Sequence, residues 1–368
     1  MIVVKKWVKF RANCIMFIPD VYSGYRGVQM KWLVSIGVLL SGAVAFSPVR
    51  LSARTAAPTV ELIVSPHRQK GRFTTVSAAI AAIPKNSKSP VTIVIRPGIY
   101  HEHLIIPRHL PPLTLRGTNA RDTVLVYSLI AHDKGPDGRE LGTFGTASVW
   151  VRANNFSAAH ITFANDAGLS GNGYNGQALA IRVDGDKAIF YRCRFLGWQD
   201  TILLNKNRQY FDHCHILGAV DFIFGNATAF FNRCRITALG YGCITAARTP
   251  QNTPYGFVFS HCVVRSLAGN GHTWLGRPWG PYAAVAWLHC QMPAALNPAR
   301  WMHWNDKKNP ETARFIEYRD SGKGAGALPG WIGQLKPGSA RAFSVGHVLS
   351  GSDGWNPRPA AKLLAGRN

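Results

Sequence analysis

Five segments of the chain repeat one hydrophobic pattern. They are Phe190–Phe195, Tyr210–Ile216, Phe230–Ile236, Phe257–Val264 and Val285–Met292. Each carries an aromatic shortly before a cysteine and an apolar residue two positions after it. The cysteines are Cys193, Cys214, Cys234, Cys262 and Cys290, and the first two intervals are 21 and 20 residues. That period is about one coil of a parallel β-solenoid. Within each coil the Cys and the residue two after it face inward, because strand side chains alternate. Arg192, His213, Arg233, His261 and His289, one before each Cys, then form an outward column. This column reads as a solvated face that can touch a polyanion.

Upstream, Thr74–Pro84 has Val76, Ala79, Ile80 and Ile83 on one helical face, with Pro84 as a stop. A single helix ahead of strands suits a cap on the open end of a solenoid. Val91–Ile95, Tyr100–Ile106, Leu113–Gly117 and Val124–Tyr127 read as short strands between turn signals. After Cys234 the interval widens to 28 residues, so Gly240–Tyr255 and Ser266–Pro281 are expected to leave the coil. They carry Tyr241, Tyr255, Trp274, Trp279 and Tyr282, aromatics suited to stacking on sugar rings. The Gly- and Pro-rich tail, Glu311–Asn368, is expected to lie back along the solenoid as loops and short helices. The fold class is therefore all-β: a parallel β-helix with an N-terminal capping helix.

Charge narrows the partners. Over 368 residues, 42 Lys/Arg against 18 Asp/Glu give a net +24. Eight basic residues and one Asp precede Pro58, leaving +17 for the remainder. A basic surface favours anionic partners. The charge is scattered, without a Lys/Arg run or nucleic-acid motif, so no nucleic acid is expected. Lys31, the apolar stretch Trp32–Phe46 and Ala43-Val44-Ala45 resemble a cleavable signal peptide, with Met30 as the expected start. Residues 1–57 are taken as leader and linker, and 58–368 as one catalytic domain. A secreted protein, extracellular or periplasmic, without stable membrane insertion after cleavage, follows. Cys14 lies in the leader. Among the others, Cys193–Cys214 and Cys214–Cys234 are possible disulfides, with packing as small apolar groups the alternative. No Cys/His spacing fits a metal, so none is expected.

The repeat also places chemistry. Seven residues after Cys193 and Cys214 stand Asp200 and Asp221, two acids at one phase of neighbouring coils. Stacked coils lie ~4.8 Å apart, which makes the carboxylates neighbours. Such a pair titrates as a unit with one member protonated, providing a nucleophile and a general acid. Gln177, about one coil before Asp200, and Gln199 can donate to an oxyanion. Arg277 can hold one acid ionised through a bidentate pair. The set suits acyl transfer on an ester with a carboxylate nucleophile. Two carboxylates also suit a glycosidase, but amide donors have little use at an oxocarbenium centre.

At these residues the chain resembles the pectin methylesterases, from about Val60 to Pro357. The resemblance rests on Gly98-Ile99-Tyr100-His101-Glu102, Gln177-Ala178-Leu179-Ala180, Gly197-Trp198-Gln199-Asp200-Thr201, Asp221-Phe222-Ile223-Phe224-Gly225 and Leu275-Gly276-Arg277-Pro278-Trp279, and on Thr312–Tyr318. It implies a right-handed parallel β-helix with an open cleft and methylated homogalacturonan (pectin) as substrate, with no cofactor. It also implies Asp221 as nucleophile, Asp200 as general acid and then base, and Gln177 and Gln199 as oxyanion hole. Arg277 would position Asp221 and touch substrate, while Trp198, Trp279 and Phe222 would line the sugar subsites. Trp198 stands where many members have Tyr, and Leu169–Gly176, with Tyr174, is glycine-rich. These departures, and no long inhibitory pro-region, suggest a bacterial-type member. A monomer is expected. A β-helix esterase or thioesterase on another ester, and a non-catalytic polysaccharide-binding solenoid, are the competing readings; a lyase would want an acidic calcium site.

Overall fold

The computed structural model describes residues 59–167, 176–304 and 309–365. The leader with its cleavage site and Cys14, and the segment that carries Tyr174, lie outside the described residues. Every strand pairing within the three sheets is parallel. The first sheet has eleven strands, from Val60–Val64 to Gly333–Gln334. The second runs in seven strands from Leu104–Ile106 to Thr273–Pro278, and the third in seven from Gly98–His101 to Val263–Ser266. The chain visits first, third and second sheet in turn, so each of seven coils contributes one strand to each, and four further strands join the first sheet alone. This is a parallel β-helix.

Its interior is set by alternation. In Val91–Ile95 the first, third and fifth residues are buried and the others half-buried. Cys193, Cys214 and Cys234 are buried, and so are Phe195, Ile216 and Ile236 two residues on. Register places like on like: Phe190, Phe211, Phe231, Phe259 and Trp287 occupy one position of successive strands. Their ring centroids are 4.7, 4.7, 4.4 and 3.8 Å apart, a continuous stack down the core. A one-residue slip in any coil would break this stack and turn its apolar set outward. The described cysteines are free thiols. Five of them form a second ladder, in which each Sγ lies 3.4–3.6 Å from a carbonyl oxygen one coil earlier. Burial pushes the Cys193, Cys234 and Cys290 thiols up, consistent with inert packing.

The capping helix forms as Val76–Ala81, shorter than the pattern suggested, with Val76, Ala79, Ile80 and Ile83 buried. Thr75 caps it, and Glu102 accepts from Val76 N at 2.7 Å and Ser77 N at 2.9 Å. The tail differs from the expectation at its start, where Arg314–Tyr318 and Gly333–Gln334 add the last two strands of the first sheet; beyond them it returns along the outer face of that sheet as loops and short helices. Val345, Val348, Leu349 and Ala361 pack there on Ile189, Tyr210, Phe230 and Val258.

The wide intervals need correcting. Gly242–Ala247 and Thr273–Pro278 do not leave the coil but form the last two strands of the second sheet. Their residues are almost all buried, and that burial keeps them in register. The extra length lies in the turns beside them. Tyr255 belongs to the tail contact, its hydroxyl donating to Ala342 O at 2.9 Å.

Candidate active site

Asp200 and Asp221 sit at corners where the chain passes from the third sheet to the second. Both adopt left-handed backbone, φ 62° and 49°, a region that Asp tolerates better than most residues. Gly218 permits the second corner: a Cβ there would lie 2.2 Å from Phe222 Cβ. Stacking is direct. Gln177 pairs with Gln199 and Gln199 with Val220, each one coil apart. Asp200 N donates to Val220 O at 3.0 Å, and Asp221 N to Cys243 O at 2.7 Å. The two amides and the two acids are therefore adjacent columns of the same turns.

Electrostatics separates the acids. Arg277 projects from the outer face of Thr273–Pro278, and its Nε and Nη2 donate to Asp221 Oδ1 and Oδ2 at 3.0 and 2.6 Å. The side chain of Asp221 is 6% exposed and that of Arg277 24%. Burial pushes the Asp221 carboxyl up, and the guanidinium pulls it back. Asp200 has no such bond. Burial, with the charge of Asp221 added, pushes it well above the usual carboxylate range, and Arg277 only partly offsets this. Both carboxyls are raised by burial, but the clamp favours charge on Asp221 and leaves the proton to Asp200, the division that a nucleophile and a proton donor require.

The surrounding surface is apolar and aromatic. Leu203, Phe224 and Ala246 precede Arg277 along one outward row of the second sheet. Trp279 packs on Phe224 with centroids 5.8 Å apart, and Arg248 lies 5.1 Å over its ring. Trp304 covers the Arg277 guanidinium at 4.1 Å. Trp198 is half-buried, and a Cβ on Gly240 would come within 2.9 Å of its ring. Phe222 is a correction: it is fully buried in the core and cannot line a sugar subsite. The corner at Asp221 resets the alternation, so Phe222 and Ile223 both point inward and Phe224 takes the outer face. Sequence reasoning missed Phe224, Arg248 and Trp304. Phe224 was recoverable from its spacing of 21 from Leu203, whereas Trp304 reaches Arg277 through a tertiary contact without periodic signal.

The fold is a parallel β-helix, and its candidate site is a carboxylate pair with an arginine clamp on one member. Comparison with known proteins places it further. The family model described as pectinesterase matches residues 61–352. Pectinesterase 31 of Arabidopsis thaliana is 38% identical over 69% of this chain and 81% of its own length. Pectinesterase QRT1 of the same plant is 38% identical over 77% of this chain and 76% of its own. The solved pectin methylesterase from carrot superposes with a TM-score of 0.73 at 29% identity, over 85% of this chain and 98% of that one. A pectin methylesterase solved in complex with a hexasaccharide gives 0.70 at 30%, over 82% and 99%. The chain belongs to the pectinesterase family, and its β-helix is right-handed like theirs. The two curated relatives are plant proteins, so the expectation of a bacterial-type member is not borne out. Trp198 and a glycine-rich approach are local features that do not report lineage.

Proposed function

We propose that Asp221 is the nucleophile with which this chain hydrolyses the methyl esters of polygalacturonate. The reaction is pectin demethylation by a carboxylic ester hydrolase. The Asp221 carboxylate attacks the C6 carbonyl of a methylated galacturonate. Gln177 and Gln199 donate to the developing oxyanion. Asp200 gives its proton to the departing methanol, leaving an acyl-enzyme anhydride. Asp200 then takes a proton from water, which opens the anhydride and returns Asp221. Trp279 and Trp198 offer stacking surfaces for neighbouring sugars, and Trp304 keeps Arg277 in place.

The observation that carries this reading is the asymmetric clamp: Arg277 binds both oxygens of Asp221 and neither of Asp200. A monomer is the form proposed, secreted through a leader ending near residue 57 and free of the membrane afterwards. Methanol release from highly methylated pectin tests the assignment, with and without EDTA. Wild type should release methanol without shortening the polymer, and Asp221→Ala should release none. A folded wild type that releases no methanol would remove pectin as substrate.

A further inference from the structure

A second feature of the coil has no part in that chemistry. Where the chain turns from the first sheet to the third, seven successive corners carry His160, Arg192, His213, Arg233, His261, His289 and Arg319. All seven are left-handed, with φ between 48° and 57°. They stack in strict order: the N–H of each of the first six donates to the carbonyl of the residue preceding the next corner, at 2.9–3.1 Å. The result is a straight column of basic side chains parallel to the solenoid axis, one per coil, at ~4.8 Å intervals, with Arg192, Arg233 and Arg319 as its fixed charges and histidines between them. All but His160 are exposed.

Backbone geometry does not select these residues. Glycine and asparagine fit the left-handed region with least strain, and neither occurs at any of the seven corners. A different set of left-handed turns, ahead of the first sheet, does use Asn155 and Asn207. Two positions further on, Arg194, His215 and Arg235 add a second, half-buried column. Acids are scarce. Asp212 pairs with His213 at 2.8 Å, and Asp320 turns its carboxylate to Cys290 N. Arg192 and Arg319 lie over Tyr191 and Tyr318 at 5.3 and 5.2 Å, which fixes their planes.

We infer that this corner column is a second, non-catalytic binding site for a linear polyuronate, in which successive carboxylates meet successive coils. The inference rests on the esterase reading, since demethylation produces such a polymer. Arg192, Arg233 and Arg319 stay charged at every working pH, so they offer a fixed row of positive charge to successive carboxylates. An axial array of single charges suits an extended chain better than a duplex. The column is one strand of the third sheet away from Asp200 and Asp221, so it can hold demethylated polymer while the cleft works on another stretch.

The test uses the full chain with Asp221→Ala, so that substrate persists. Arg192→Asn, Arg233→Asn, His261→Asn, His289→Asn and Arg319→Asn are combined, since asparagine removes charge while easing the left-handed corner. Affinity for demethylated polygalacturonate at low salt should fall by roughly tenfold or more, with a shallower salt dependence. With Asp221 restored, kcat on short methylated oligogalacturonides should be unchanged. Arg192→Lys, Arg233→Lys and Arg319→Lys together should keep most of the affinity. Unchanged polygalacturonate binding in the asparagine variant would overturn the proposal. So would equal loss in the lysine variant, or a loss confined to duplex DNA offered as a control polyanion. Column-dependent binding by a wild type that releases no methanol would sink the esterase reading alone.

Discussion

Single residues decide the chemistry, and the clamp on Asp221 is the most exposed to test. In the proposed mechanism activity needs Asp221 ionised, so the acid limb of kcat/KM should follow its pKa. Burial raises that value and Arg277 holds it down. Arg277→Gln leaves only the burial. The acid limb should therefore move to higher pH, and kcat should fall by about 100-fold or more as the carboxylate loses its orientation. An acid limb that stays in place in the variant would show that Arg277 does not set the charge state. On the alkaline side, activity should fall as Asp200 loses its proton. In Asp221→Asn that carboxyl loses the neighbouring charge but keeps its desolvation, so NMR titration should find it lowered yet still above the ordinary range. At this scale the sequence was legible where residues recur with the coil. Asp200 and Asp221 came from one phase of the coil, and the pairings place Gln177 and Gln199 in the phase beside it. Phe222 was misread because a left-handed corner breaks the simple count of two, a conformation that a string of letters does not display.

At the scale of elements, one family motif proves structural. Glu102, in the Gly98–Glu102 segment, takes two backbone N–H groups and the Ser77 hydroxyl at the start of the capping helix. Tyr100, in the same segment, donates to Arg96 O at 2.8 Å. Replacing Glu102 by Ala strands those donors and should cost about 1–2 kcal/mol of stability. Urea titration would measure this, and kcat should be unaffected; a loss of kcat at full occupancy of the fold would place Glu102 in function instead. The aromatic stack is a stronger support. Phe211 lies 4.7 Å from both Phe190 and Phe231, fully buried. Phe211→Ala should destabilise by about 3–5 kcal/mol, transfer and cavity terms together. A loss below about 1 kcal/mol would mean that neighbouring coils collapse into the gap. The strands and the cap were readable from alternation and from one helical face. The last two strands of the second sheet were not, because widened spacing alone does not say whether added residues sit in the strand or in the turn beside it.

The whole molecule stores its acids in an uncommon way, and that should govern its response to pH. Its 18 acids stand against 42 Lys/Arg, and Asp184, Asp200, Asp221 and Glu317 are buried. Burial, with help from Glu317, pushes Asp320 from 3.8 to about 7. One of its oxygens accepts from Cys290 N at 2.7 Å, and the other is buried without a partner, the place for a proton. Glu317 is likewise raised by burial, although Arg300 and Trp301 bind it. An acid whose folded pKa lies above its unfolded value holds more protons folded than unfolded in the interval between them. Its contribution is therefore complete below 3.8 and is lost as pH rises towards 7. Asp184 acts in the opposite sense: burial raises it, but bonds from Arg182, Asn205 and Trp150 outweigh that and hold it low. Its share is lost only as pH falls below the ordinary carboxylate range. Between these limits stability should decline with rising pH, by up to about 1.4 kcal/mol per unit for Asp320 alone. Asp320→Asn keeps an oxygen for Cys290 and cannot ionise, so it should flatten the decline. Urea unfolding of both proteins at about pH 4 and about pH 8 reads the difference directly. A wild type equally stable at both values, or a variant that keeps the full slope, would show that Asp320 ionises in the fold as easily as in the unfolded chain.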